Sequence, residues 1–409
     1  MRDTMIPAAG DRADMGINRR ELLAAAVATG GTVLLPAHAL SQAPSRFATH
    51  RFGLNYVPSK NWYYVWNDWR PSDIARDLDG IAALGADHIR IMLVWPWFQP
   101  NPDIVSQAHL DRLDELMQLA YQRNLDVLVT VFTGWLSGYS FRPPYYQDEP
   151  FYTSTRWRTA QGTFLKDLSA RLVRHDNFLG YDIGNEINDC WQTDTLADGD
   201  RWMTDILGQM NIQAPGRVHV NGVDNQPWFR ETTFSPQALA TRQDIVALHC
   251  WSYWTGAKDF GGPLDVPYTH LAAAMTALAR AYAGDSRKPV WIEEFGACSA
   301  EMPASDVPRW LEIATLAGVQ AGVSWFTWWA SHDVERRFAF NDFEYDLGLL
   351  TTDNKVKPAG MAFRRLAEAH RGKAVNFPTR PLPPPPQSRT PQATWAWMLA
   401  WLKAQDLMV

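Results

Sequence analysis

The chain reads as α/β: a (β/α)8 TIM barrel in one domain, followed by a Pro-rich C-terminal tail. Three observations predict it. Short apolar, β-branched runs alternate with helical periods along most of the 409 residues. No Gly-rich phosphate loop follows any run, which disfavours the alternative, an open doubly wound sheet. Two of the runs end in a carboxylate, and barrel enzymes carry their chemistry at the C-terminal ends of strands.

The elements follow in order. Residues 52–56 form the first strand. From Ser72, Ile74, Leu78, Ile81 and Leu84 recur at helical spacing, and Gly85 closes that helix. Residues 88–94 are the second strand. Leu110, Leu113, Met117 and Ala120 mark a second helix, capped by Ser106. Residues 125–132 are the third strand, and a long helix runs through Leu165, Leu168 and Leu172. The fourth strand is 178–183 and a short fifth is 218–220. The sixth is 245–248, with a helix through Leu271, Met275, Leu278 and Tyr282. The seventh is 290–292, with a helix around 311–316. Residues 319–327 contain the eighth strand, and 358–370 is a final helix. The barrel domain spans residues 50–372.

The flanks differ in composition. Arg19-Arg20 precedes an apolar run at 22–36, and Ala37-His38-Ala39 follows. This is the pattern of a twin-arginine export signal over residues 1–39. The run is shorter than the roughly 20 residues of a spanning helix and contains Gly30, Gly31 and Pro36, so a membrane anchor is the lesser reading. The mature chain is expected in the periplasm or outside the cell, with no membrane attachment after cleavage. Residues 373–391 are a Pro-rich linker, expected to be extended and mobile. Residues 392–409 are a short apolar tail with Trp395, Trp397 and Trp401, which either docks on the barrel or a partner or frays. Cys190, Cys250 and Cys298 show no metal spacing, and Cys250 could pair with Cys298.

Composition narrows the partner. There are 20 Trp, 13 Tyr and 18 Phe, with 38 basic and 44 acidic residues and a net charge of −6. Disorder is excluded, and a nucleic-acid or anionic-membrane partner is disfavoured. Trp excess without basic excess suits a neutral ligand with flat faces, such as a sugar ring; the competing explanation is core packing. Trp62, Trp66, Trp69, Trp95, Trp97, Trp135, Trp191, Trp251, Trp254, Trp325, Trp328 and Trp329 all fall in or just after the strand ends. The aromatics from Trp62 to Trp69 suit sugar stacking or a hydrophobic lid.

The fourth strand runs into Ile183-Gly184-Asn185-Glu186 and the seventh into Ile292-Glu293-Glu294-Phe295-Gly296. An acid closing an apolar strand is costly unless it has a task or a partner. Two carboxylates across a barrel mouth suit glycoside hydrolysis. Arg90 on the second strand, His249 after the sixth and Trp328 on the eighth occupy successive strand ends. This ordered set resembles the retaining glycosidases of clan A, most closely the cellulase and β-mannanase group of glycoside hydrolase family 5, over most of residues 50–372. The resemblance implies Glu186 as general acid/base, Glu294 as nucleophile and Asn185 as a ligand of the sugar 2-hydroxyl. It implies that Arg90 holds the nucleophile, that His249 is the sixth-strand histidine and that Trp328 floors the sugar at the cleavage point. Glu293 is expected to point to the other side of the strand end.

The sequence departs from the family pattern in three places, the first being the third-strand end Phe132-Thr133-Gly134-Trp135, which lacks the His of many cellulases. Ile187 stands where Pro often follows the acid/base, and Trp251 stands where a Tyr usually orients the nucleophile, a task Tyr253 could take over. The loop with Trp135 and Gly138, and Lys288-Pro289-Val290, look like the mannanase branch. The expected activity is therefore retaining hydrolysis of β-linked oligo- or polysaccharide, with β-1,4-mannan favoured. A β-glucan endo-hydrolase or an exo-acting β-galactosidase or β-mannosidase is the alternative on the same scaffold, and a non-catalytic carbohydrate-binding barrel the alternative from another class. A metal-dependent hydrolase would need several strand-end histidines, and His249 is the one clear candidate, so no metal or cofactor is expected. Treatment with a chelator should leave turnover unchanged. Loss of activity that returns with a divalent cation would overturn the two-carboxylate reading.

Overall fold

The computed structural model describes residues 46–408. The expected export signal lies outside the described residues. No helix among those described is long and apolar enough to cross a membrane.

Eight parallel strands make one sheet: β1 (Arg51–Asn55), β2 (His88–Val94), β3 (Asp126–Thr133), β4 (Phe178–Asp182), β5 (Val218–Val220), β6 (Val246–His249), β7 (Val290–Phe295) and β8 (Trp325–Trp328). Their hydrogen-bonded order is β5-β4-β3-β2-β1-β8-β7-β6. β1 pairs with β8, with Arg51 opposite Trp325 and Leu54 opposite Trp328, so the sheet curls into a nearly closed barrel. The open seam falls between β5 and β6. There the buried Gln243 acts as a clip. It accepts from the Asn221 backbone N–H at 2.7 Å and donates to Leu239 O at 2.8 Å. A backbone donor beside the seam is thereby satisfied.

Helices α1 (Pro71–Ala83), α2 (Gln107–Tyr121), α3 (Thr155–Leu172), α4 (Leu196–Gln213), α5 (Pro236–Arg242), α6 (Leu271–Ala283), α7 (Val307–Gln320) and α8 (Pro358–His370) each follow the strand of the same number. Their starts are chemically marked. α1, α5 and α8 open with Pro and α7 has Pro308 second, where the missing N–H costs nothing in a first turn. Ser154 and Thr195 cap α3 and α4 by accepting from Trp157 N and Asp198 N. Ser106 precedes α2 without capping it, because its hydroxyl is engaged by His109 Nδ1 at 2.7 Å. The sequence reading leaves α4 and α5 unassigned. α4 buries Trp202, Met203, Ile206, Leu207 and Met210 at helical spacing, but its acidic first turn reads as loop. Val319 and Gln320 belong to α7, so the eighth strand starts later than the apolar run suggests.

The barrel interior is filled in layers. Phe47 lies against Trp325 at the N-terminal end, with ring centres 5.3 Å apart, and Trp325 meets Trp291 at 4.9 Å. Above them His88 Nε2 reaches Thr327 Oγ1 at 2.8 Å. Any side chain at Gly53 would collide with that imidazole. The next layer is polar and fully buried: Asn55, Arg90, Thr130, Asp182, His249 and Glu293. Cys190, Cys250 and Cys298 are free thiols, so the Cys250–Cys298 pairing is not formed; each is buried separately.

The apolar tail is a helix, α9 (Pro391–Ala404), started by Thr390 and packed on the barrel. Trp395, Met398 and Leu402 are buried, and the Trp395 indole donates to Thr255 O at 2.8 Å. Residues 375–390 carry no regular structure. They bring Arg389 Nη1 to Phe234 O at 2.9 Å and the Pro384 carbonyl to the Trp397 indole at 2.8 Å. Trp395→Ala should cost about 3–5 kcal/mol of tail docking, the usual range for a buried aromatic. A lowered melting temperature, or faster amide exchange confined to α9, would register it. Unchanged melting and exchange would show that the helix contributes nothing.

Candidate active site

The C-terminal end of the barrel opens into a cavity of about 470 Å³. Asn185, Glu186, Trp135, Trp251 and Glu294 line it, as the sequence predicts. At its base lies Arg90, with no solvent exposure. Its Nη1 donates to Glu294 Oε1 at 2.6 Å and Asn55 Oδ1 at 3.0 Å, and its Nη2 donates to Asp182 Oδ2 at 2.7 Å and Asn185 Oδ1 at 3.0 Å. Its Nε lies 3.3 Å from Glu293 Oε1. Burial alone would make the guanidinium easier to deprotonate. Glu293, Asp182 and Glu294 reverse that and raise its pKa.

Both glutamates of β7 face inward, which corrects the expectation for Glu293. Simple alternation would place neighbours on opposite faces. The β6–β7 register slips between Leu248 and His249, so that His249 pairs with Glu294. Trp291 fills the barrel, so alternation already turns Glu293 inward, and the slip is what brings Glu294 round to the cavity above it. Glu293 Oε2 lies 3.4 Å from His249 Nε2. The other side of the imidazole serves the cavity: Nδ1 is 2.9 Å from Glu186 Oε1 and 3.3 Å from Glu294 Oε2. Burial disfavours a charged imidazole. The surrounding Glu294, Glu186 and Glu293 outweigh it and raise the pKa of His249 to about 10.

Glu186 follows β4 at φ 46°, ψ 47°, a left-handed conformation that costs a non-Gly residue roughly 1–2 kcal/mol. Its N–H donates to Gly222 O at 2.9 Å. Gly222 itself approaches so closely that a Cβ there would strike Glu293, His249 and Arg90. Burial pushes the Glu186 carboxyl up to about 7; the hydrogen bond from His249 pulls it down, and the charge of Glu294 pushes it up. One oxygen each of Glu186 and Glu294 and a ring nitrogen of His249 lie within 4.8 Å of one another. These three could in principle ligate a cation. Both ring nitrogens of His249 already face carboxylates, Nδ1 those of Glu186 and Glu294 and Nε2 that of Glu293.

The departure at Trp251 acquires a physical reading. Trp251 donates its indole N–H to Glu294 Oε2 at 3.2 Å, which does the orienting expected of a Tyr. Tyr253 does not take over: its ring packs on Trp254 and Phe343, away from Glu294. Asn185 is held from both ends, by Arg90 and by the Trp135 carbonyl at 3.0 Å.

Trp328 is the site residue that the structure displaces. Inward-facing positions on β8 are Trp325 and Thr327, so Trp328 points outward. It is buried against Phe295 and Trp310, its indole donating to Leu347 O at 2.9 Å. The next residue, Trp329, lines the cavity. Of the twelve strand-end tryptophans, Trp135, Trp251, Trp254 and Trp329 line the cavity. Trp62 and Trp97 belong to an aromatic wall, and Trp95 and Trp191 pack with Trp157 behind it.

Sequence reasoning missed Asn55, Asp182, Asp189, Asp224 and Glu344. Asp182 closes an apolar strand, the signal that exposed Glu186 and Glu294. Burial, reinforced by Glu293, lifts its carboxyl to about 6 against the pull of Arg90. Asp189, Asp224 and Glu344 come from loops with no strand signal, and only folding carries them to the cavity.

Residues 48–333 match the sequence profile of the family described as Cellulase (glycosyl hydrolase family 5). The chain belongs to glycoside hydrolase family 5. It is an O-glycosyl hydrolase, and the reading as a non-catalytic binding barrel is set aside. A GH5_18 structure from Streptomyces cattleya, in complex with Manβ1-4GlcNAc, is 31% identical with a TM-score of 0.80, covering 88% of this chain and 92% of that one. A GH5_18 structure from Bifidobacterium longum subsp. infantis is 26% identical with a TM-score of 0.80, covering 87% and 90%. The exo-β-1,4-mannosidase of Opitutaceae bacterium strain TAV5 shares the fold at 24% identity and a TM-score of 0.69, over 78% of this chain and 59% of that one. No curated protein matches the chain by sequence.

Arg90→Met should leave Asp182, Glu293 and Glu294 buried without their guanidinium, at a cost of about 3–5 kcal/mol. Asp182, already lifted to about 6 with the guanidinium beside it, would rise further and hold a proton in the folded state that it releases on unfolding. The variant should therefore lose stability as pH rises from about 4, the unfolded value, past about 6. Denaturant unfolding across that range checks it; equal destabilisation at every pH would contradict the charge argument.

Proposed function

We propose that the chain is a retaining β-glycosidase that releases a β-linked mannose from Manβ1-4GlcNAc-type oligosaccharides, with Glu294 as nucleophile and Glu186 as acid/base. The observation that carries the mechanism is the closeness of the two carboxylates across one cavity. Retaining enzymes hold them about 5–5.5 Å apart, whereas inverting enzymes leave room for a water at about 6.5–9.5 Å. The sugar preference is supported by the likeness to the Streptomyces cattleya structure holding Manβ1-4GlcNAc. The mannanase-like loop at Trp135 and Gly138 leans the same way.

In the first step a Glu294 oxygen attacks the anomeric carbon. The bond to the leaving sugar breaks, and its oxygen takes the proton of Glu186. Arg90 and Trp251 hold the two Glu294 oxygens, so the attacking atom is fixed before substrate arrives. In the second step Glu186, now a carboxylate, takes a proton from water. The water oxygen attacks the anomeric carbon, and Glu294 departs. His249 stays charged and steadies the Glu186 carboxylate between the steps. Export by the Arg19-Arg20 signal is part of the same proposal and would place the activity where free oligosaccharides are met.

Glu294→Gln should abolish turnover while leaving melting and ligand binding near wild type; retained activity would remove Glu294 from the nucleophile role. Assay against aryl β-mannoside, β-glucoside and β-galactoside, mannan and Manβ1-4GlcNAc tests the substrate. Mannose released from the last, and slow attack on mannan, is the expected outcome. In the pH profile, kcat/KM should fall above about pH 7 as Glu186 loses its proton. His249→Asn removes a group that lowers that pKa, so the alkaline limb should move to higher pH. A limb that stays put would detach His249 from the acid.

A further inference from the structure

The cavity is lined by chemically different loops. Beyond Glu186, Asp189 and Asp224 are joined by Gln226, whose Nε2 donates to both at 2.8 Å. This is the side from which the acid protonates a leaving group. Three other loops, which bring Ser137, Phe343 and Glu344 to the lining, close against one another. Trp62 from the β1 loop lies 5.5 Å from Tyr139 and 5.1 Å from Phe340, ring centre to ring centre, and the Tyr139 hydroxyl donates to Ala339 O at 2.9 Å. Tyr64 stacks on Phe338 at 5.9 Å. The aromatics from Trp62 onward thus hold a wall closed rather than presenting free stacking faces.

Three polar side chains beside that wall face the cavity: Ser137, Asn341 and Glu344. The Ser137 hydroxyl stands near the Glu344 carboxyl and favours its charged form. Ser137 and Gly138 form the two-residue turn of a small hairpin, Trp135–Leu136 with Tyr139–Ser140, and both have positive φ, 50° and 87°. Such a turn favours Asn or Gly at its first central position. Serine is strained there, and this serine lines the cavity with Glu344. Burial raises the Glu344 carboxyl to about 7, so that it can accept or donate a hydrogen bond near neutral pH. It lines the same cavity as Glu294 and Glu186.

We propose that Glu344, positioned by Ser137, is the specificity-determining residue on the aromatic side of the cavity, and that it binds the C4 or C6 hydroxyl of the sugar whose anomeric carbon meets Glu294. A carboxyl at that place reads the non-reducing end of one terminal sugar, where a continuing chain would have to pass. The inference rests on the assignment of Glu294 and Glu186 above and specifies what their cavity recognises.

The test compares wild type, Glu344→Ala, Glu344→Gln and Ser137→Ala on an aryl β-mannoside and on its 4-deoxy and 6-deoxy forms. On the parent sugar, Glu344→Ala should lower kcat/KM by about 10- to 100-fold, chiefly through KM, the range for a lost hydrogen bond to a charged group. Glu344→Gln should recover most of that loss, and Ser137→Ala should show a smaller loss of the same kind. On the deoxy sugar that lacks the bound hydroxyl, wild type and Glu344→Ala should differ by less than about threefold. An equal loss on all three sugars, or none on the parent, would overturn the role. If Glu344→Ala melts early, the Gln and Ser137 variants decide it by the same comparison. Should wild type cleave another aryl β-glycoside and not the mannoside, the mannoside assignment fails. The deoxy forms of the sugar it does cleave then test Glu344 independently.

Discussion

The buried guanidinium of Arg90 is the interaction on which the site depends. It joins Asn55 of β1, Asp182 of β4, Asn185 beyond β4, and Glu293 and Glu294 of β7. One side chain therefore ties four strand ends together at the level where the barrel interior turns from apolar to polar. A cation in that position is tolerable only because carboxylates surround it, and the carboxylates are tolerable only because of the cation. Four carboxyls, Asp182, Glu186, Glu293 and Glu294, share two cations, Arg90 and His249. The excess negative charge is most cheaply relieved by a proton on the least tightly held acid. Glu186, partly open to the cavity and bonded to an imidazole rather than to Arg90, is that acid. Burial is the main cause of its elevated pKa, and the charge of Glu294 adds to it against the pull of His249.

Backbone irregularities make the network possible. The register slip in β7 lets two consecutive glutamates face into one barrel, one to balance charge and one to face the cavity. Glu186 is held in a left-handed conformation by its bond to Gly222 O, and Gly222 must lack a side chain because Glu293, His249 and Arg90 fill the space. Each departure costs stability, and each is held by contacts among groups that the chemistry requires.

Above the rigid strand ends, the loops divide the labour. The β1, β3 and β8 loops close against one another with interlocked aromatic rings and bring Glu344 to the cavity. The turn after β4 and the loop after β5 supply polar lining. Much of the aromatic excess is structural: it seals a wall, or fills the barrel base as Trp291 and Trp325 do. A smaller group, Trp135, Trp251, Trp254 and Trp329, meets the ligand space.

By itself the sequence determined the barrel, the strand ends and the main pair of acids. Parallel strands buried on both faces must be apolar runs, so a carboxylate ending such a run stands out against its background. Glu186 and Glu294 were legible for that reason, and Arg90 and His249 through the family resemblance that the ordered set carries. The facing of individual side chains was not. Trp328 rather than Trp329 is the natural choice until the inward parity of β8 is known, and Glu293, as the neighbour of Glu294, looks outward until the bulge in β7 is seen. Nor does any local pattern assign Trp251 the task of a tyrosine, or bring Asp189, Asp224 and Glu344 to one cavity. Apolar burial is a local property that repeats along the chain, whereas direction, register and loop meeting depend on hydrogen bonds and contacts between residues far apart in sequence. Those long-range contacts, which exist only in the folded barrel, decided the shape and polarity of the site.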